Sequence, residues 1–466
     1  MQSVRDRYPD VPGRADYCVY WFRRTHDEMK QGQRAGLIGT NTIRQNYSRM
    51  GGLDYIVSEC GVITDAVSSQ VWSGDAAVHV SIVNWIKGDV SGKKMLSIQL
   101  GDQLESPFAF YERDVINSAL STGCDVTKAV KLITNAKSGA CYQGQTHGHK
   151  AFLLSKNTAL GLIEDEARNG AVLFPYLTGK DELLGAKDSL PKRYIIDFSR
   201  FDVFEASKFP HLFKIVEESV KPKRREEAAK EKLRNAEILK ANPHAHVNLH
   251  HANFYRQWWK LSYGREELMK RLERLPRYIA CVRLTKRPIF EFIHPAIHPN
   301  DALQVFPLAD DYSFGILQSE AHWEWFCARC STFKRDWRYT SDTVFDSFPW
   351  PQSPSDKEIE EVATAAVKLR VLRRQTMTEH NLSLRELYRL MEETPENPVS
   401  AAQEHLNLVV RKAYKMGKSV DALKFLLDLN ERCAGIEGKG EDIKGPGLPP
   451  QFKSQLVSED CVRFPA

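Results

Sequence analysis

Residues 35–41 read Ala-Gly-Leu-Ile-Gly-Thr-Asn, an apolar run broken by two glycines and too short for a helix with a buried face. A segment of this kind is accommodated as a strand buried in a sheet, and that constrains its neighbours. Upstream, Tyr17, Tyr20, Trp21 and Met29 recur at roughly helical spacing across residues 15–30. Gly32 follows as the expected helix cap, because glycine tolerates the left-handed conformation there. Downstream, a helix is expected over residues 53–58 and strands over 62–68 and 76–86. In the last of these, Val78, Val80 and Ile82 alternate with His79 and Ser81, the period of a half-buried strand. Trp72-Ser-Gly-Asp75 supplies the turn between the two strands. The succession of helix, strand, helix, strand, turn and strand is the closing half of an α/β sheet.

A chain of 466 residues exceeds one simple core and divides into two or three domains. The expected units are residues 1–105, carrying this partial sheet, a mixed β-rich module over 106–351, a helical unit over 352–434 and an irregular tail over 435–466. A long charged helix is expected inside the middle module over residues 216–239. Three helix faces mark the helical unit: Ile359, Val362, Ala366 and Leu369; then Leu406, Val409 and Ala413, ended by Gly417; then Leu423, Leu426 and Asn430. Residues 435–450 are rich in Gly and Pro and are given no regular structure.

Charge narrows the partners. With 65 basic and 60 acidic residues the net charge is only +5, so nucleic-acid contact must come from local patches rather than bulk charge. The nine cysteines are dispersed from Cys18 to Cys461, which fits reduced thiols in a cytoplasm better than a disulfide framework. The first thirty residues lack the apolar segment of a signal peptide, and no apolar run is long enough to span a membrane. Residues 1–13 read as a polar loop cut from the middle of something longer.

Several motifs follow one another in a recognisable order: Gly36-Leu-Ile-Gly-Thr-Asn41-Thr-Ile-Arg44, Gly51-Gly-Leu-Asp54, Val71-Trp-Ser-Gly-Asp-Ala-Ala-Val-His-Val80, Cys141-Tyr-Gln-Gly144 and Phe174-Pro-Tyr-Leu-Thr-Gly-Lys180. Ile195-Ile-Asp-Phe198, the run from Arg338 to Pro351, and Pro446-Gly-Leu-Pro449 continue the series. Together they make the chain resemble the carboxy-terminal half of MmeI-like (type IIG/IIL) restriction–modification DNA methyltransferases of the adenine-N6 class. The resemblance implies α/β plus α+β architecture: the closing part of a Rossmann-like, S-adenosylmethionine-dependent methyltransferase sheet (strands five, seven and six by family order), a β-rich target-recognition domain and a helical carboxy-terminal domain. It implies double-stranded DNA as partner and, for the intact enzyme, S-adenosylmethionine as cofactor. In such enzymes the adenine leaves the stack, and an Asn/Asp-Pro-Pro-Tyr/Phe motif holds its amine in line with the methyl group. That tetrapeptide and a glycine-rich donor loop are missing from this sequence. Asp346-Ser-Phe-Pro-Trp350 is a decoy, read as a domain-closing turn that buries Phe348 and Trp350. No catalytic residue is assigned, the donor is not expected to bind this chain alone, and a second polypeptide bringing the amino-terminal half is an implied partner. The alternative is an inactive remnant that acts at most as a sequence-specific DNA-binding module.

Candidate site residues divide in two groups. By family position Thr40 and Asn41 end a strand where α/β sheets place ligands, and with Trp72 they are candidates to border the donor or flipped-base pocket. Packing is the competing reading for all three. For DNA contact, Lys221, Lys223, Arg224 and Arg225 form a charge run suited to phosphates or to a solvated face. Lys334, Arg335, Asp336 and Arg338 mix the donors and acceptor that read guanine and cytosine edges. Trp258, Trp259, Tyr255 and Tyr263 read as core aromatics before stacking platforms. His244, His246, His250 and His251 lack a carboxylate or thiolate at ligand spacing, as Cys327-Ala-Arg-Cys330 lacks a second pair, so no metal site is assigned.

Overall fold

The computed structural model describes residues 2–126, 128–287, 289–333, 336–394, 396–452 and 454–464. Helix α1 (Cys18–Glu28) turns Val19, Phe22 and His26 inward against strands β1 (Arg34–Thr40), β2 (Gly61–Val71) and β3 (His79–Lys87). With β4 (Lys94–Gln99) and β5 (Phe108–Arg113) these form a five-stranded sheet in the order β1-β3-β2-β4-β5. β3 runs antiparallel to both β1 and β2, while β2 pairs parallel with β4. Trp85 of β3 anchors this core. Its indole N–H donates to His26 Nδ1 at 3.2 Å, so His26 carries its proton on Nε2, which donates to the Glu59 carbonyl at 2.9 Å.

Three details of this module depart from the sequence reading. Along β1 only Gly39 is buried and Ile38 is 52% exposed, because β1 is the sheet's edge and has a neighbour on one side only. Gly32 does take a left-handed φ of 82°, but α1 has already ended at the extended Met29. The Gly32 N–H donates to the Lys87 carbonyl at 2.7 Å, so the glycine makes the turn into β1 rather than a helix cap. The sheet also continues past residue 105 through β5, and Ile116 and Leu120 close the same core.

The middle of the chain is β-rich, as expected, but built from small sheets. One has the order β13-β8-β9-β7, from β7 (Leu153–Ser155), β8 (Leu173–Leu177), β9 (Arg193–Ile196) and β13 (His298–Pro299). A second, β12-β10-β14-β6, joins β6 (Tyr142–Gln143), β10 (Tyr278–Val282), β12 (Phe290–Ile293) and β14 (Leu303–Phe306). A third, β11-β16-β15, is made by β11 (Leu284–Thr285), β15 (Ser331–Phe333) and β16 (Asp336–Arg338). The charged helix is α2 (Pro210–Ala241), which overruns the expected bounds at both ends and carries Pro222 inside.

Helices α3 (Asp311–Gln318) and α4 (Glu320–Arg329) pack onto α5 (Asp356–His380), α6 (Leu384–Glu393), α7 (Pro398–Ala413) and α8 (Ala422–Gly438). Ser355 and Glu358 close a reciprocal capping box at the start of α5, and Asn381 ends it in the left-handed conformation. Helix α6 went unread in the periodicity, although Ser383 and Glu386 form the same box. Helix α7 stops at Ala413, short of the expected Gly417, and Lys415, at φ 58°, takes the left-handed position after it. Phe348 and Trp350 are buried, as the closing-turn reading requires.

The irregular tail starts only after Gly438 and is tied down farther on. Asp460 lies 3.2 Å from Arg277 and 2.8 Å from Arg370, and Arg277 also pairs with Asp311 at 2.8 Å. Burial raises the Asp460 carboxyl, but Arg370, Ser458 and Arg277 together hold it well below the usual carboxylate range. Both guanidiniums lie over the Phe292 ring, at 3.6 and 4.8 Å from its centroid. The Val462 N–H then donates to the Phe292 carbonyl at 2.7 Å. No helix among the described residues is long and apolar enough to cross a membrane.

Candidate nucleic-acid interface

A polar cleft of about 820 Å³ opens between the five-stranded module and the small sheets. From the first module come Arg14, Thr42 and the Gln45–Ser48 stretch; from the second come Gln143, Arg283, Gln304, Arg338 and residues 340–343. The two sides meet where the Tyr47 hydroxyl donates to the Asp342 carboxylate, with Arg14 3.9 Å from the same group. That carboxylate pushes the Tyr47 phenol up from its ordinary value, so the hydroxyl keeps its proton and the bridge persists at neutral pH.

Arg283 sits at the turn from β10 to β11, its backbone held by Ala302 and Tyr339. Its Nη1 donates to the Asp301 carbonyl at 3.1 Å, while its Nε is enclosed without a hydrogen-bond partner. Burial, and then the charge of Arg338, pushes its guanidinium below the ordinary value. Arg338 is exposed at the end of β16 and makes no ion pair among the described residues. Both arginines also line an adjoining groove of about 540 Å³ floored by Gly179, Val282 and Ala302. Buried Gln304 donates to Cys141 and to Ser341, each at 3.0 Å, and Gln143 donates to the Asp301 carbonyl at 3.2 Å. Two arginines held close enough for each to bear on the other, neither of them in an ion pair among the described residues, favour an acceptor-rich ligand. Guanine O6/N7 edges and phosphate oxygens have that character.

The sequence candidates fall unevenly on this geometry. Arg338 lines the cleft. Asp336 is engaged by Lys180 at 2.5 Å, and Lys334 and Arg335 lie outside the described residues. The run at 221–225 lies in mid-helix on α2. Lys221 pairs with Glu217 at 2.7 Å and lies 4.7 Å from the Trp258 ring centroid, while Lys223 faces Glu226 and Glu227 at 3.1 and 3.3 Å. Arg224 is a correction: it is buried and donates to the carbonyls of Phe254, Gln257, Trp258 and Lys260, the last at 2.8 Å. Burial pushes its guanidinium down to about 10. Arg225 is exposed. Trp258 is core, as read, and Trp259 donates to the Phe201 carbonyl.

Thr40 and Asn41 are turned inward. The Thr40 and Thr42 hydroxyls both donate to Asp16, at 2.6 and 2.9 Å, and Asn41 is buried with its amide 3.4 Å from the Ser69 hydroxyl. Burial raises the Asp16 carboxyl, but these hydroxyls overcome it and hold it below its ordinary value. Trp72 is 37% exposed in the loop before β3 and folds over Gly74, where any Cβ would stand 2.4 Å from the indole nitrogen. None of the three lines the cleft, though neighbouring Thr42 does. With the Thr40 hydroxyl held by Asp16 and the Asn41 amide nitrogen turned to Ser69, these two residues do not by themselves fit a seat for a methyl donor.

Sequence reasoning missed Arg14, Arg283 and Gln304, which are isolated polar residues without local pattern. Gln143 had a signal, since it lies in the Cys141-Tyr-Gln-Gly144 motif. Among the described residues no group of three or more His, Cys, Asp or Glu side chains is arranged to hold a metal ion. Burial pushes the Cys327 thiol up to about 12 and the Cys330 thiol well above its ordinary value, which leaves both protonated.

Residues 288–352, which include Arg338 and the 340–343 wall of the cleft, match the family described as MmeI, target recognition domain. The fold is similar to that of the type IIL restriction–modification enzyme MmeI solved in complex with DNA, with a TM-score of 0.73 and 17% identity over 93% of this chain. The chain spans 55% of the length of that enzyme. The type IIG restriction endonuclease BpuSI matches at a TM-score of 0.30 and 10% identity, over 85% of this chain and 49% of its own. No curated protein matches the sequence.

Proposed function

We propose, from the premise that this chain carries an MmeI-type target recognition domain on an MmeI-like fold, that it binds duplex DNA at a specific sequence within a restriction–modification system. The observation that carries this reading is the cleft in which Arg283 and Arg338 face the Gln45–Ser48 stretch of the other module. Duplex recognition needs cations for phosphate and mixed donors and acceptors for base edges, and arginine, glutamine, threonine and aspartate supply both. In the finer form of the proposal, the assembled enzyme transfers a methyl group from S-adenosylmethionine to adenine N6. An antiparallel β3 between like-directed β1 and β2 supports a late-strand portion of a Rossmann-like methyltransferase sheet. The donor site and the Asn/Asp-Pro-Pro-Tyr/Phe loop would then come from a further segment or polypeptide. A binding module without methyl transfer is the second reading, favoured by the inward-turned Thr40 and Asn41.

The test is duplex binding followed by anisotropy, with the preferred site selected from a random pool. Arg338→Ala should weaken the selected site by about 1–3 kcal/mol and relax preference at one base position. Uniform weakening of all sequences would make Arg338 a phosphate contact, and no selected site at all would sink the recognition reading. Methyl transfer from labelled donor, with and without the polypeptide carrying the missing motifs, separates enzyme from module.

A further inference from the structure

A second cavity, of about 1120 Å³, shares Asn46, Tyr47, Asp342 and Thr343 with the cleft. It is lined by five cations: Arg44, Arg49, Lys128, Lys131 and Arg329. Three of them are accounted for. Arg49 pairs with Asp54 at 3.3 Å and Lys131 with Asp346 at 2.9 Å. Arg329 donates to the carbonyls of Val126, Ala129 and Thr343 at 2.9, 3.0 and 3.3 Å. Lys128 is exposed.

Arg44 is in a different position. Its Nε is enclosed and has no hydrogen-bond partner, and it makes no ion pair among the described residues. Burial pushes its guanidinium down, and the neighbouring Cys330 thiol, kept neutral by burial, gives it no counter-charge. Three acids of the cavity are committed elsewhere: Asp54 to Arg49 and the Ser118 hydroxyl, Asp342 to Tyr47, and Asp421 to the Lys424 N–H at the start of α8; the fourth, half-buried Glu324, has its carboxyl pushed up by burial and by the charge of Glu320, which favours its neutral form. Arginine does not shed its proton in a protein. A half-buried guanidinium with an enclosed, unpartnered Nε and no counter-ion among the described residues is costly, and a multi-oxygen anion relieves it through charge-assisted hydrogen bonds.

We propose that this cavity is a phosphate seat in which Arg44 grips the phosphate oxygens, Lys128 contributes from the exposed side, and Arg49 and Arg329 add positive field. The phosphate belongs either to the backbone of bound DNA, in which case the seat rests on the recognition reading above, or to a free phosphate-bearing solute.

The experiment has two arms on the full chain. In the first, inorganic phosphate is titrated by calorimetry into wild type, Arg44→Met, Arg44→Lys and Lys128→Ala. Wild type should bind, Arg44→Met should lose at least ten-fold, Arg44→Lys should recover part, and Lys128→Ala should weaken binding several-fold. Circular dichroism checks the fold of each variant, and Lys128→Ala, on an exposed side chain, keeps the test decisive if Arg44→Met does not fold. In the second arm the salt dependence of duplex affinity is measured. Loss of one backbone contact lowers the slope of log affinity against log salt by about 0.9. An unchanged slope with lost phosphate binding assigns the seat to a free solute. Wild type that takes no phosphate, with slopes identical among the variants, overturns the proposal. Should the chain bind no duplex, the recognition reading fails while the phosphate titration still decides the seat.

Discussion

Arg224 shows what a charge run conceals. From the sequence, Lys221, Lys223, Arg224 and Arg225 form one basic patch; on α2 the helical turn sends Arg224 inward to gather carbonyls from the segment before Gly264 while its neighbours face solvent. Removing it takes the donor from the buried Trp258 carbonyl and from the part-buried carbonyls of Phe254 and Lys260, so Arg224→Ala should destabilise by about 2–4 kcal/mol in urea unfolding. Lys223→Ala, whose ion pairs are exposed, should stay within about 0.5 kcal/mol. His322 gives a pH signature at the same scale. Its Nδ1 faces the Leu317 carbonyl at 2.8 Å, which can only accept, so Nδ1 carries the proton and Nε2 accepts from the Tyr339 hydroxyl at 2.9 Å. Burial pushes the imidazole down to about 3 from its ordinary 6.5. The native ring stays neutral while the unfolded ring takes a proton below pH 6.5, so its contribution is complete above 6.5 and is lost as pH falls toward 3. His322→Gln should flatten the urea midpoint across that window relative to wild type; equal pH dependence would show that other groups carry it.

Strands and helices were largely legible, and the exceptions have physical reasons. Periodicity reads α1, β2, β3, α5, α7 and α8 because each buries one face, and α2 is legible as a long charged run. Periodicity missed α6, whose start is written in the Ser383–Glu386 box rather than in an apolar repeat. It placed β1 correctly but overstated its burial, since alternation cannot distinguish an edge strand from a central one. The cleft was the least legible part: it brings together side chains separated by hundreds of positions, such as Tyr47 and Asp342, and only Arg338 and the motif around Gln143 pointed toward it. The contact between α1 and β1 carries its own prediction. A Cβ at Gly39 would stand 3.1 Å from the Phe22 ring and 3.3 Å from the Cys18 sulfur. Gly39→Val should therefore push α1 off the sheet and destabilise by about 1–3 kcal/mol, read by thermal unfolding. An unchanged melting temperature would mean that α1 yields without loss.

Across the whole molecule, the segment around Asp460 joins elements distant in sequence: Arg277 before β10, Asp311 at the start of α3, and Arg370 in α5. A buried charge cluster of this kind resists the loss of any one member, because the rest remain desolvated. Asp460→Ala should destabilise by about 3–5 kcal/mol in urea unfolding, with exposure of the Phe292 region to hydrogen exchange. Loss of less than 1 kcal/mol would mean that water replaces the carboxylate without penalty.

The same cluster sets an order on biosynthesis. Chains are made from their amino end, and domains fold as their parts become available. Arg277, Asp311 and Arg370 are all synthesised well before Asp460, so during translation two guanidiniums share a single carboxylate between them. The layer that this cluster ties together therefore cannot mature on the ribosome in step with its own synthesis. It waits for a segment made some ninety residues after Arg370, and a ribosome stalled short of Asp460 should hold the nascent chain in a protease-sensitive form.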